Sequence, residues 1–235
     1  MGISDHSGRR SRLLTTTSSS ISAYIDSYYE YLLKCAILFD DADCRAMWEA
    51  SIPAVNRYLA DTVDGNLWYG HADMASGART ATAYGALDAF FPGLLALGGD
   101  LDRAAALQES SFKMWNLHSI EPERLDYSTM TVTSAGYPLR PEIVESAYIL
   151  HHYTGDEAYR AMGLSMFEDF VRYCRADAGY ARLASVVTKE KGDEQQSFLL
   201  AETFKYYFLL FSPPEALDFE GIVFNTEAHP IRRTW

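Results

Sequence analysis

Pro141-Glu-Ile-Val-Glu-Ser-Ala-Tyr-Ile-Leu-His-His-Tyr-Thr-Gly-Asp156 spaces its apolar residues three and four apart and then breaks at Thr-Gly-Asp. That spacing predicts a helix with one buried face over Pro141 to Tyr153. Pro141 suits the first helical position, where its missing N–H costs nothing. Gly155 can take the left-handed residue that ends a helix, and Asp156 can cap the next one, Glu157 to Cys174. The joint recurs at Leu97-Gly-Gly-Asp100 and, with Asp replacing Gly, at Leu38-Phe-Asp-Asp41; Phe211-Ser-Pro-Pro214 ends a further apolar run. Asp100 and Asp156 lie 56 residues apart, as do Asp156 and Ser212, and Asp41 lies 59 before Asp100. A period of that size is a helical hairpin that must stack on its neighbours to bury its apolar faces.

The same periodicity predicts helices over Ile25 to Leu38, Ala46 to Leu59, Ala83 to Leu97, Leu101 to Trp115 and Glu194 to Phe211. No long alternating run argues for a sheet, although Tyr127 to Thr133 and Tyr180 to Thr188 suit short strands. The expected class is all-α, an α/α array. Periodicity leaves a solenoid and a closed barrel both open, and a barrel needs more hairpins than these residues supply.

With 235 residues, 48% of them hydrophobic, the chain can bury a substantial core. Its 32 acidic against 20 basic residues give a formal net charge of -12, which repels nucleic acid and anionic lipid surfaces. Carboxylates in excess suit a divalent cation or a sugar, although a solvated acidic surface accounts for most of them. Aromatic residues, 14% of the chain, suit sugar rings as well as core packing. Cys35, Cys44 and Cys174 are too few for a disulfide framework or a zinc site, and one disulfide stays open. No apolar stretch has the length of a membrane span, and the stretch after Arg10 lacks the apolar segment of a secretory signal. Residues 1 to 20, rich in Ser, Thr and Arg, are expected to be a disordered tail, with the folded unit over 21–235.

Three segments can carry chemistry. Arg140-Pro-Glu142 opens a helix, with Glu145 on the same face. A helix N-terminus favours an ionised carboxylate, so Glu142 suits a general base, while a charge cluster that merely caps the helix is the plainer alternative. Glu202 stands in a very apolar run, four residues after Phe198, and a carboxylate there needs an arginine, a metal or a wet cavity. Thr226-Glu-Ala-His229 groups a hydroxyl, a carboxylate and an imidazole. His151 and His152 fit no metal spacing and read as ordinary helix residues.

Asp26-Ser-Tyr-Tyr-Glu-Tyr-Leu-Leu-Lys34, Leu139-Arg-Pro-Glu-Ile-Val-Glu-Ser146, Ser197-Phe-Leu-Leu-Ala-Glu-Thr-Phe-Lys-Tyr206 and Phe224-Asn-Thr-Glu-Ala-His229 resemble, in order, four signature blocks of the class I α-1,2-mannosidases, glycoside hydrolase family 47. Asp73-Met-Ala-Ser-Gly77 and Ala89-Phe-Phe-Pro-Gly-Leu94 resemble the ER degradation-enhancing branch. The resemblance runs from about Ile25 to Ile231 and implies part of an (α/α)7 barrel with Ca2+ in an axial pocket. It implies further that Thr226 ligates the ion, that Glu142, Glu145, Glu202 and Glu227 hold its waters, and that Arg140, Phe198 and those outer carboxylates shape the sugar site. Glu142 would be the base and Asp26 a second catalytic carboxylate, in an inverting removal of terminal α-1,2-linked mannose from high-mannose N-glycans in the endoplasmic reticulum or secretory pathway. Two departures stand out. The family's acid-bearing N-terminal segment has no counterpart here, and Gln196 replaces the carboxylate usual before the Ser-Phe pair. They imply roughly the second half of a mannosidase domain, completed by a missing N-terminal half, or a glycan- or misfolded-glycoprotein-binding module of the same fold. Thr226, Glu142, Glu145, Glu202 and Glu227 are expected to converge.

Overall fold

A computed structural model describes residues 17–233. Most of the tail expected over residues 1 to 20 lies outside them. Its last part is ordered: Ser18–Ser19 pairs antiparallel with His71–Asp73.

The hairpins form where the joints predict them. Helix α1 (Asp26–Phe39) turns into α2 (Ala42–Tyr58), α3 (Phe91–Leu97) into α4 (Leu101–His118), and α5 (Glu142–Thr154) into α6 (Glu157–Cys174). Asp40, Gly99 and Gly155 take the left-handed backbone at the three joints, with φ of 48°, 89° and 66°. Asp41, Asp100 and Asp156 then cap the second helix of each pair, accepting backbone N–H bonds from Cys44 at 2.8 Å, Arg103 at 3.3 Å and Ala158 at 2.9 Å. The Asp41 cap starts α2 four residues before the expected Ala46. A disulfide between Cys35 and Cys44 staples α1 to α2, and Cys174 remains a buried free thiol.

Two helices depart from expectation. Ala83 to Leu97 is helical only in its second half. Ala83–Gly85 is a strand paired with Arg124–Asp126, and Asp88 accepts the Gly85 N–H at 2.7 Å, so the chain passes through a 3₁₀ turn, Leu87–Phe90, before α3 begins. The run Glu194 to Phe211 begins late. A π-helical turn, Leu199–Thr203, leads into α7 (Phe204–Phe211), and the wider turn closes with the Phe204 N–H bonding to the Leu199 carbonyl.

The fold is therefore helix-rich rather than all-α. Among the described residues, six small antiparallel sheets lie outside the helices, including Arg124–Asp126 with Thr131–Ser134 and Leu183–Ser185 with Glu190–Lys191, close to the two regions expected to hold strands. A closed (α/α)7 barrel needs seven hairpins, and the described residues hold three with part of a fourth.

Helix α5 is the spine. It packs against α3, α4, α6 and α7. Gly93 lets α3 approach closely, since a Cβ there would lie 3.2 Å from the Ser146 Cα and 3.0 Å from Ile149. The Gly93 N–H donates to the Ser146 hydroxyl at 2.9 Å, and that hydroxyl donates to the Ala89 carbonyl. At the chain's end, Ile222–Phe224 pairs with Pro230–Arg232, and this hairpin packs on α1. No helix among the described residues is long and apolar enough to cross a membrane.

The staple closes a short loop on the helix that carries Asp26. Replacing Cys35 and Cys44 by Ser is expected to cost about 2–3 kcal/mol by the chain-entropy relation for a loop of that length, read as a lower urea midpoint with a slope equal to or larger than that of the stapled protein.

Candidate functional site

The N-terminal ends of α1 and α5, the π turn and the tip of the C-terminal hairpin meet around a cavity of about 90 Å3, lined by Asp26, Glu30, Leu87, Phe90, Glu142, Glu145, Glu202 and Thr226. Each polar group arrives by a local device. On α1, Asp26 and Glu30 are four residues apart and share a face. On α5, Glu142 opens the helix and Glu145 follows one turn later, its carboxylate accepting from the Tyr206 hydroxyl at 2.9 Å. Glu202 sits in the π turn. Thr226 lies in the hairpin loop, where Asn225 Oδ1 accepts the Glu227 and His229 N–H groups at 3.0 and 2.8 Å and the Thr226 N–H donates to the Tyr31 hydroxyl at 3.2 Å.

Of the residues expected at the site, Asp26, Glu142, Glu145, Glu202 and Thr226 line this cavity. Glu227 does not. Its side chain is 68% exposed, 4.0 Å from His229, because the loop turns it outward, although its charge still acts on Glu202. Arg140 stands beside the cavity, held by Glu123 through Nη2 at 2.5 Å and Nε at 3.2 Å, with Glu142 at 4.0 Å and the Phe198 ring 5.9 Å from its guanidinium carbon. Leu139, just before it, is a buried residue at φ 70°, a strained conformation whose carbonyl accepts the Thr203 hydroxyl at 2.8 Å. That bond ties the Arg140 loop to the helix carrying Glu202.

Three acidic residues escaped the sequence reading. Glu30 was visible in principle, four residues from Asp26. Glu123 and Glu121 were not, because they lie in a link whose path only the tertiary fold sets. Glu121 is fully buried, and neither of its oxygens has a hydrogen-bond partner. Burial first, then the neighbouring Glu142 and Glu123, pushes its carboxyl well above the usual range.

Burial governs the whole cluster. It pushes Glu142 up to about 8 against the opposing pull of Arg140, and Glu202 up to about 7 with Glu227 adding to the rise. Glu145 is raised as well, with Lys34 opposing, and Asp26 is raised by burial. Burial therefore opposes the ionised form of Glu142 that its place at a helix N-terminus favours. Glu142 Oε2 is buried with no partner. An orphaned carboxylate oxygen facing a cavity of hard oxygen donors fits a hard divalent cation. These donors are not a tight direct chelate. Among the described residues, the one His, Cys, Asp or Glu trio whose ligand atoms all lie within 4.8 Å of one another is Cys35, Asp41 and Cys44, and its two cysteines are joined as a disulfide.

Comparison with known proteins gives a consistent picture. The profile of glycosyl hydrolase family 47 matches residues 5–233. The chain is 39% identical over 217 residues to alpha-mannosidase I MNS5 of Arabidopsis thaliana, covering 92% of this chain and 37% of that protein. It is 38% identical to ER degradation-enhancing alpha-mannosidase-like protein 3 of Homo sapiens, covering 90% of this chain and 22% of that protein. The alpha-1,2-mannosidase from Trichoderma reesei superimposes with a TM-score of 0.84 at 25% identity, over 94% of this chain and 54% of that one. The chain thus spans well under two thirds of each of these three proteins.

Two expected outcomes follow. Thr203→Val removes the bond that supports Leu139 and should cost about 1–2 kcal/mol, measured by urea unfolding. Glu142, whose folded pKa is raised from 4.5 to about 8, penalises the cation-free fold increasingly as pH rises through that window and not below it. Stability measured with Ca2+ chelated should therefore shift in favour of Glu142→Gln, relative to the wild type, as pH is raised from 5 to 8. A constant difference between the two proteins would contradict the raised pKa.

Proposed function

From its membership of glycosyl hydrolase family 47, to which this chain belongs, we propose that it forms the Ca2+-dependent catalytic cavity of an α-1,2-mannosidase acting on high-mannose N-glycans. The observation that carries the proposal is the cavity itself. Five carboxylates and a threonine from four separate chain segments line one small space, which is costly to build unless a cation and a polar substrate use it.

Thr226 would hold the ion directly, and Glu30, Glu142, Glu145 and Glu202 would hold its hydration shell, with Glu227 at the rim. The spacing of the carboxylates, too wide for a tight trio, suits a hydrated ion better than a directly chelated one. When bound, the cation supplies positive charge that keeps these carboxylates ionised and orients water and sugar hydroxyls. An inverting hydrolysis needs a base on one side of the sugar and a second carboxyl group across from it. Glu142 would take a proton from the attacking water, whose oxygen bonds to the anomeric carbon as the bond to the glycosidic oxygen breaks. The departing oxygen would gain its proton in the same step from the acid that the family carries on its N-terminal segment, and Asp26, at the start of α1, is the second catalytic carboxylate of the proposal. Arg140, fixed by Glu123 and lying over Phe198, would place the sugar ring and keep the Glu142 wall in position.

The Cys35–Cys44 disulfide supports folding in an oxidising compartment, which agrees with the endoplasmic reticulum or secretory pathway. Degradation-enhancing relatives support a role in the disposal of misfolded glycoproteins.

The test is release of mannose from a high-mannose glycan. Activity should disappear on chelation and return with Ca2+, and Glu142→Gln should lower it by about 10²–10⁴-fold, the usual share of acid–base catalysis. Glycan binding with Ca2+ but no mannose release from the wild type would instead favour a binding module that reads the same glycans.

A further inference from the structure

We propose that Lys34 is a positioning residue of the carboxylate cavity. In this role it is a built-in countercharge that holds Glu30 and supports the cation-free fold, and it thereby limits how tightly Ca2+ binds. The inference rests on reading the cavity as a Ca2+ site.

Lysine is almost never buried unless paired, and Lys34 is only 7% exposed. It lies four residues after Glu30 on α1, as Glu30 lies four after Asp26, so the three form one stripe down the inward face. Its ammonium donates to the Glu30 carboxylate, which is itself 6% exposed. Lys34 also lines a second cavity of about 360 Å3, together with Ile37, Leu97, Glu145, Ile149 and Phe224. Glu145 belongs to the walls of both cavities, so the Glu30–Lys34 pair and Glu145 form the partition between them. The charge of Lys34 acts favourably on Glu145 and Glu202 as well as on Glu30.

The other nearby cations are committed elsewhere. Arg140 is held by Glu123 and reaches Glu142 only at 4.0 Å, and Lys205 donates to the Ala228 carbonyl at 2.6 Å. Lys34 is thus the cation most closely bonded to a carboxylate of the cavity wall. Without a divalent ion, buried carboxylates oppose folding, and a fixed ammonium offsets part of that cost. Once an ion is bound, the same ammonium repels it. The two effects have opposite signs, which separates this role from ordinary packing.

The experiment compares wild type, Lys34→Met and the double variant Glu30→Gln/Lys34→Met at fixed pH and ionic strength. Thermal unfolding is read with Ca2+ chelated and with Ca2+ saturating, and Ca2+ affinity is read by calorimetry. Lys34→Met should lower the cation-free Tm, keep most of the Ca2+-saturated Tm, and bind Ca2+ more tightly by roughly three- to tenfold. The double variant should recover much of the cation-free Tm, because it removes the stranded carboxylate along with its partner. If Lys34→Met folds only with Ca2+ present, that is the same result at its limit. Equal loss of Tm in both conditions with unchanged affinity would reduce Lys34 to packing and overturn the proposal, as would weaker Ca2+ binding or failure of the double variant to recover. Absence of any Ca2+ heat or thermal shift in the wild type would overturn the cation-site reading and the affinity claim with it. The cation-free Tm of the two variants would still decide whether Lys34 is the countercharge of Glu30.

Discussion

The burial of carboxylates inside an apolar helical array is the constraint on which the rest of this structure depends. Asp26, Glu30, Glu142, Glu145 and Glu202 share one cavity wall, and each lost water on entering it. Loss of water raises the carboxyls of Asp26, Glu142, Glu145 and Glu202, and buried charges of this kind oppose folding unless something compensates. The compensation visible in the chain is partial: a lysine bonded to Glu30, a tyrosine hydroxyl on Glu145, and an arginine at the edge of Glu142. What remains uncompensated is what a divalent cation would neutralise.

The fold delivers these groups through the ends of elements rather than their middles. Glu142 opens α5 and Asp26 opens α1, where backbone N–H groups lack partners within the helix. Glu202 enters through a π-helical turn, a feature frequent at functional sites, and Thr226 through the tip of a hairpin. The inter-element ties are correspondingly specific. Ser146 bridges α5 to the end of the 3₁₀ turn and to α3, Thr203 braces the strained Leu139, and Tyr31 receives the Thr226 N–H. Each tie joins segments that both carry or flank a site residue, so stability and site geometry rest on the same bonds.

Glu121 stands apart from this economy. It is as buried as any described residue and has no hydrogen-bond partner, it does not line the cavity, and the charges of Glu142 and Glu123 act on it. Burial and these neighbouring carboxylates favour its neutral form.

By itself the sequence determined the local features. The three- and four-residue apolar spacing defined α1, α4, α5 and α6 to within a few residues, because helix periodicity and Asp or Gly at the joints act over one or two turns. It also marked Asp26, Glu142, Glu145, Glu202 and Thr226 through motif blocks, and all five line the cavity. Only the tertiary structure decided the rest. The strand at Ala83–Gly85 displaced a helical periodicity because its partner, Arg124–Asp126, lies some forty residues away. Glu227 was turned outward by the Asn225 loop, and Glu123 was brought to Arg140 by a link with no periodic signal. The carboxyl of Glu142 is raised despite its helix position because desolvation depends on what the whole fold packs around a group, and no local spacing records that.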